Sequence, residues 1–131
     1  MFRQFIDAKD VVGTPAISQS EDVLFVPSSD DYIYALKKST GKMIWSYETG
    51  FSIQAPPTIT KDRKVLVPSS DKHLYAFDFS GTLLWKYKTQ GWLMGPSVPL
   101  SDCTVVVGSR DKFMHAIGTC PNGVSIHHEE L

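Results

Sequence analysis

What most constrains this chain is a segment that occurs three times. Val26-Pro27-Ser28-Ser29-Asp30-Asp31-Tyr32-Ile33-Tyr34-Ala35-Leu36 returns as Val67-Pro68-Ser69-Ser70-Asp71-Lys72-His73-Leu74-Tyr75-Ala76-Phe77, and again as Val107-Gly108-Ser109-Arg110-Asp111-Lys112-Phe113-Met114-His115-Ala116-Ile117. The step is 41 residues from Asp30 to Asp71 and 40 from Asp71 to Asp111. A period near 40 built from short β-branched and aromatic runs marks a stack of small sheets, because heptad-like apolar spacing, which a helical array of similar period requires, is absent.

Each unit divides into four strands. The first holds Ala16-Ile17, Thr58-Ile59 or Ser97-Val98, each after a proline that suits a strand's first position. The second is Val23 to Val26, Val65 to Val67 or Val105 to Val107. A polar turn follows, centred on Asp30, Asp71 or Asp111, whose carboxylates are expected to accept local backbone N–H bonds. Recurrence of the aspartate in every unit points to a structural use. The third strand places Tyr32, Tyr34 and Leu36 on one face and Ile33 and Ala35 on the other, so both faces are covered. Small Ala35, Ala76 and Ala116 recur where neighbouring sheets must approach closely. A turn with Gly41 or Gly81 leads to the fourth strand, Lys42 to Tyr47 or Thr82 to Tyr87, carrying Trp45 or Trp85 four residues after the glycine. The expected fold is therefore all-β, a partial β-propeller of four-stranded antiparallel blades. Residues 1–13 read as the outer strand and linker of a preceding blade, 14–55 and 56–95 as blades, and 96–131 as a degenerate terminal blade.

Composition narrows the function classes. Thirteen basic against fourteen acidic residues give a formal charge of -1, which leaves no electrostatic footprint for nucleic acid or an anionic membrane. Met1 to Asp10 is interrupted by Arg3, Asp7, Lys9 and Asp10 and lacks the apolar core of a signal peptide, and no run approaches the roughly 20 apolar residues of a spanning helix. The chain as given reads as cytosolic. On that footing Cys103 and Cys120 are expected to be two buried or idle thiols, although a pair stays open.

Ala35-Leu36-Lys37-Lys38-Ser39-Thr40-Gly41-Lys42-Met43-Ile44-Trp45 resembles the tryptophan-docking motif of PQQ-like (quinoprotein-type) repeats, with Ala, an acidic position, Thr-Gly and a final Trp. Ala76 to Trp85 is a copy one residue shorter that keeps the acid as Asp78, where the first has Lys37. The resemblance implies that Ala35, Gly41, Trp45, Ala76, Gly81, Trp85, Ala116 and Gly123 dock blade against blade, with Trp45 and Trp85 wedged between neighbours. The third copy departs: the Trp position falls on His127, Gly118 to Asn122 disturbs the turn, and the outer strand there is doubtful.

Propellers close with about 4 to 8 blades, because an open arc leaves an apolar face bare at each end. About three blades imply a piece of a longer chain or, as the second reading, a homodimer that closes the ring by pairing Phe2 to Ile6 of one copy with Val124 to His128 of the other. Enzymes of the resembled family hold pyrroloquinoline quinone and calcium, with a pair of adjacent cysteines and an acidic ligand cluster. Cys103 and Cys120 are seventeen residues apart and no such cluster is present in the sequence. The local metal-like group, His127-His128-Glu129-Glu130, puts adjacent histidines on opposite strand faces and reads as a solvated tail. His73 and His115 read as polar-edge or packing residues and not as ligands. Trp92-Leu93-Met94 is matched to Phe51-Ser52-Ile53 in the linkers, and an aromatic in both predicts packing in the core or axial channel before a ligand-binding rim. No catalytic, cofactor or metal residue is assigned. The expected role is a noncatalytic scaffold for a protein or ligand, with a protein partner or the remaining blades as its contacts. The alternative is a fragment of an enzyme, either a quinoprotein dehydrogenase or an adenylate-forming enzyme with a propeller appendage.

Overall fold

A computed structural model describes residues 13–101, 103–119 and 125–130. The strands are β1 Ala16–Ile17, β2 Leu24–Pro27, β3 Tyr32–Leu36, β4 Met43–Glu48, β5 Thr58–Ile59, β6 Lys64–Pro68, β7 His73–Asp78, β8 Leu83–Lys88, β9 Val98–Ser101, β10 Thr104–Gly108, β11 Phe113–Gly118 and β12 Ser125–Glu130. They form three antiparallel meanders, β1-β2-β3-β4, β5-β6-β7-β8 and β9-β10-β11-β12. No helix occurs among the described residues. The chain is thus all-β, with one four-stranded sheet per repeat.

Alternation along the central strands gives each sheet two apolar faces. Phe25, Ile33 and Ala35 of the first sheet pack with Val65, Val67, Tyr75 and Phe77 of the second. The opposite face of the second, Leu66, Leu74 and Ala76, packs with Val105, Val107 and Ile117 of the third. Successive residues of a strand point to opposite faces, so one strand serves two cores at once, which is why these runs are apolar at nearly every position.

The fourth strand carries a built-in irregularity. Ala35 pairs with Trp45 and Leu36 with Met43, so Ile44 is an extra residue, and Leu84 is the same extra residue between the pairs Ala76–Trp85 and Phe77–Leu83. Both bulged residues are exposed, and the added twist turns the tryptophan toward the next sheet. In the third sheet Ala116 pairs with His127, the tryptophan register, without a bulge.

Three expectations are corrected. The outer strand of the third repeat is a full six-residue strand in register with β11 from Phe113–Glu130 to Gly118–Ser125, so His127 to Glu130 belong to a sheet and not to a tail. Pairing with β11 satisfies the backbone whatever side chains the strand carries. Cys103 is disulfide-bonded, not an idle thiol. The sequence holds one other cysteine, at 120, outside the described residues. Thr104 pairs with Gly118, and the Thr119 N–H donates to the Cys103 carbonyl at 2.5 Å. The third correction concerns the linkers, below. Gly123 and the expected preceding blade strand at 1–12 lie outside the described residues.

Candidate interaction surface

One end of the stack is built by the β2–β3, β6–β7 and β10–β11 turns and by the linkers that carry the chain from sheet to sheet. Each turn aspartate accepts the backbone N–H two residues on: Tyr32 to Asp30 at 3.0 Å, His73 to Asp71 at 2.9 Å and Phe113 to Asp111 at 2.9 Å. This is the expected Asx turn, and it fixes the positive φ of Asp31, Lys72 and Lys112. The second carboxylate oxygen has a use that local reasoning missed. Asp71 accepts Gly50 N–H at 2.8 Å, and Asp111 accepts Gln90 N–H at 3.0 Å, in both cases from the linker leaving the previous sheet.

The same oxygen meets the side chain four residues on. Tyr34 OH donates to Asp30 at 2.5 Å, Tyr75 OH donates to Asp71, and His115 Nε2 stands 2.9 Å from Asp111. A carboxylate only accepts, so Nε2 is the protonated nitrogen, and Nδ1, 3.1 Å from Tyr87 OH, accepts when the ring is neutral. Burial, then the bond to Asp71, pushes the Tyr75 phenol well above its ordinary value. Burial works to raise the Asp111 carboxyl, but the N–H groups of Gln90 and Phe113 and the His115 ring hold it below the usual range. The recurring pattern Asp-x-x-x-Tyr/Tyr/His was the sequence signal for this clasp.

The clasps fasten linkers whose anchors are Ile53 and Leu93, both fully buried, with N–H bonds to Ser28 O at 3.0 Å and Ser69 O at 3.3 Å. Matching bonds run from Ser70 N to Ser52 O and from Arg110 N to Trp92 O, each 3.0 Å. The structure thus equates Trp92 with Ser52 and Leu93 with Ile53, one residue away from the alignment read off the sequence. The aromatics are not in the core either: Phe51 is 51% and Trp92 43% exposed. The linker must bury one aliphatic anchor per crossing, and that position leaves the neighbouring ring outside. The two rings stack at 6.0 Å and 25°, the Arg110 guanidinium lies 5.8 Å from the Trp92 ring, and Met94, two residues along the linker, is exposed with its Sδ accepting from Ser70 Oγ at 3.6 Å. An exposed aromatic pair beside a cation and a thioether gathers residue types that are enriched at protein interfaces.

At the opposite end, Trp45 Nε1 donates to Phe79 O at 2.8 Å in the next sheet, with its ring 5.9 Å from Phe25 and 5.4 Å from Phe77. Gly81, at φ 96°, lies under the indole, so that a Cβ there would stand 2.8 Å from Trp45 Cγ. Where Lys37 replaces the turn acid, Asp22 from the adjacent hairpin accepts Ser39 N–H at 2.7 Å; Asp78 serves its own turn through Ser80 and Thr82. Among the described residues no group of three or more His, Cys, Asp or Glu side chains is placed to hold a metal ion.

A family model described as outer membrane protein assembly factor BamB matches residues 6–118. A search of the curated proteins finds no match. Among solved structures, BamB from Moraxella catarrhalis superposes with a TM-score of 0.82 at 23% identity over 99% of this chain. The chain spans 39% of the length of that protein, and at this identity the likeness is one of fold.

Proposed function

The chain belongs to the PQQ-like repeat propeller family whose model is described as outer membrane protein assembly factor BamB, and on that footing we propose that it is a noncatalytic scaffold that binds protein through its linker end. The observation that carries this reading is the exposed Phe51–Trp92 stack with Arg110 and Met94, held on linkers whose backbone is hydrogen-bonded on both sides. Aromatic and Arg side chains on a pre-ordered backbone lose little entropy on contact, which is what an interface centre needs. Function in a propeller resides in such loops, since the sheets are occupied with one another.

The blades beyond this segment are part of the same reading. Val98, paired with Val106, is 51% exposed on the face of the third sheet where the matched Phe25 and Leu66 of the first and second sheets are covered by the next one. Further blades of a longer propeller, in keeping with the 39% of BamB spanned, cover it without new chemistry. A disulfide at Cys103 fits residence in an oxidising compartment.

The test is a photocross-linking residue at Met94 in the parent protein expressed in its native cell. A discrete protein adduct that is lost in the double variant Phe51→Ser, Trp92→Ser, with the fold intact by circular dichroism, supports the reading. Absence of any protein adduct, or an adduct indifferent to both substitutions, refutes it.

A further inference from the structure

Matched hydrogen bonds align the two linkers residue by residue. Thr49 Oγ1 stands 2.7 Å from both the Asp31 and the Phe51 carbonyl oxygens, and Thr89 Oγ1 stands 3.0 Å from Lys72 O and 2.7 Å from Gly91 O. Gly91 therefore holds the place of Phe51, as Trp92 holds that of Ser52. The aromatic has moved one residue along the second linker, and a glycine stands where the first has a ring.

Room explains that glycine. Its φ is not positive, so the left-handed region is not what calls for it. A Cβ at residue 91 would stand 2.4 Å from Asp111 N, 2.6 Å from Arg110 C and 3.1 Å from Arg110 Cα. All three are backbone atoms of the β10–β11 turn, which cannot rotate aside as a flexible side chain can. A Cβ at Gly50, by contrast, would meet only the Asp71 side chain, at 3.2 Å. In the first linker the place of Gly91 is filled by Phe51, so the β6–β7 turn leaves a side chain its space there.

The seat on Gly91 carries the exposed patch. Arg110, whose backbone lies on the glycine, donates its N–H to Trp92 O at 3.0 Å and holds its guanidinium 5.8 Å from the Trp92 ring. Asp111 accepts the N–H of Gln90, the residue before the glycine, at 3.0 Å. The second linker is thus fastened on both sides of Gly91, and Trp92 is presented to Phe51 at 6.0 Å and 25°.

We propose that Gly91 is the positioning residue of the protein-binding rim: its missing side chain lets the β10–β11 turn set Arg110 and Trp92 into one surface with Phe51. Gly91 itself offers no side chain to the partner. A side chain at this place drives the turn off the linker, parts the cation from the ring and turns the ring from Phe51, and a contact surface loosened by about 1 Å loses its fit. The inference rests on the reading of the Phe51–Trp92 patch as a protein contact and adds the residue that builds it.

The test places Gly91→Ala in the parent protein that carries the photocross-linking residue at Met94, in its native cell. The protein adduct is expected to fall about tenfold. In the ¹H–¹⁵N spectrum of the purified variant the Trp92 indole signal moves, while those of Trp45 and Trp85 stay in place. Gly81→Ala, which meets the Trp45 ring at the opposite end, controls for lost stability and keeps both the adduct and the Trp92 signal. Should Gly91→Ala not fold, Asp111→Asn decides: its amide has one acceptor oxygen for the Gln90 and Phe113 N–H groups that the carboxylate serves with two, so the same seat is loosened and the same two changes are expected. An unchanged adduct in the folded variant, an unmoved Trp92 signal, or an equal loss in Gly81→Ala overturns the inference. Those results leave the rim reading standing, since it is decided by the parent adduct and its loss in Phe51→Ser, Trp92→Ser; no adduct in the parent removes both.

Discussion

Trp45 reaches from the first sheet to the second, its indole N–H donating to the Phe79 carbonyl at 2.8 Å above a glycine, Gly81, that has no room for a side chain. Trp85 stands at the same register in the second sheet, and its N–H has no hydrogen-bond partner among the described residues. Equal sequence motifs thus make unequal contacts. Trp45→Ala is expected to cost about 3 kcal/mol, the low end for a large ring because this one is only partly buried. Trp85→Ala costs about 1–2 kcal/mol, since no hydrogen bond is lost and a cavity already exists there. Gly81→Ala costs about 2 kcal/mol through the clash and the positive φ, whereas Gly95→Ala, with open space at its Cβ, is near neutral. Urea unfolding of the four variants checks the order; equal midpoints for Trp45→Ala and Trp85→Ala contradict it.

The clasp at Asp111 predicts an acid limb. Its folded carboxyl lies below the unfolded value of about 3.9, so the unfolded state binds the proton more readily. The contribution to stability is complete above that value and is lost as pH falls through the folded one. Asp111→Asn keeps the shape and removes the titration. The variant is therefore expected to be less stable than the parent near neutrality and to converge on it in acid, below about pH 4. Parallel thermal denaturation curves for the two proteins across that range would show that the carboxylate plays no such part.

The disulfide at Cys103 is expected to involve the chain's only other cysteine, Cys120, closing the β10–β11 hairpin. A loop of that length constrains the unfolded chain by about 3 kcal/mol. Reduction, or Cys103→Ser, lowers the unfolding midpoint accordingly. Maleimide titration of the denatured, unreduced protein should find no free thiol, and two thiols would disprove the pairing.

Much of this architecture was legible because it is periodic. The alternation in Tyr32 to Leu36 assigns its two faces, and the structure places those residues in separate cores. The Asx turns followed from aspartate chemistry alone. The linker alignment did not follow: similarity of ring type paired Trp92 with Phe51, while backbone hydrogen bonding pairs it with Ser52. Which linker residue is buried depends on where Ser28 and Ser69 present their carbonyls, a property of the neighbouring sheet.

By itself, then, the sequence determined the repeat length, the sheet within each repeat, the faces of its strands and the register that sets His127 where Trp45 and Trp85 stand. These are local consequences of period two and of turn chemistry. Only the tertiary structure decided what the repeats do to one another. Asp71 and Asp111 hold the previous linker, Phe79 fills a junction that Thr119 leaves open, and Glu21 crosses to Arg63 where Asp62 does not cross. Contacts between residues some 20 to 60 positions apart depend on the distance and angle between sheets, and no single repeat encodes those.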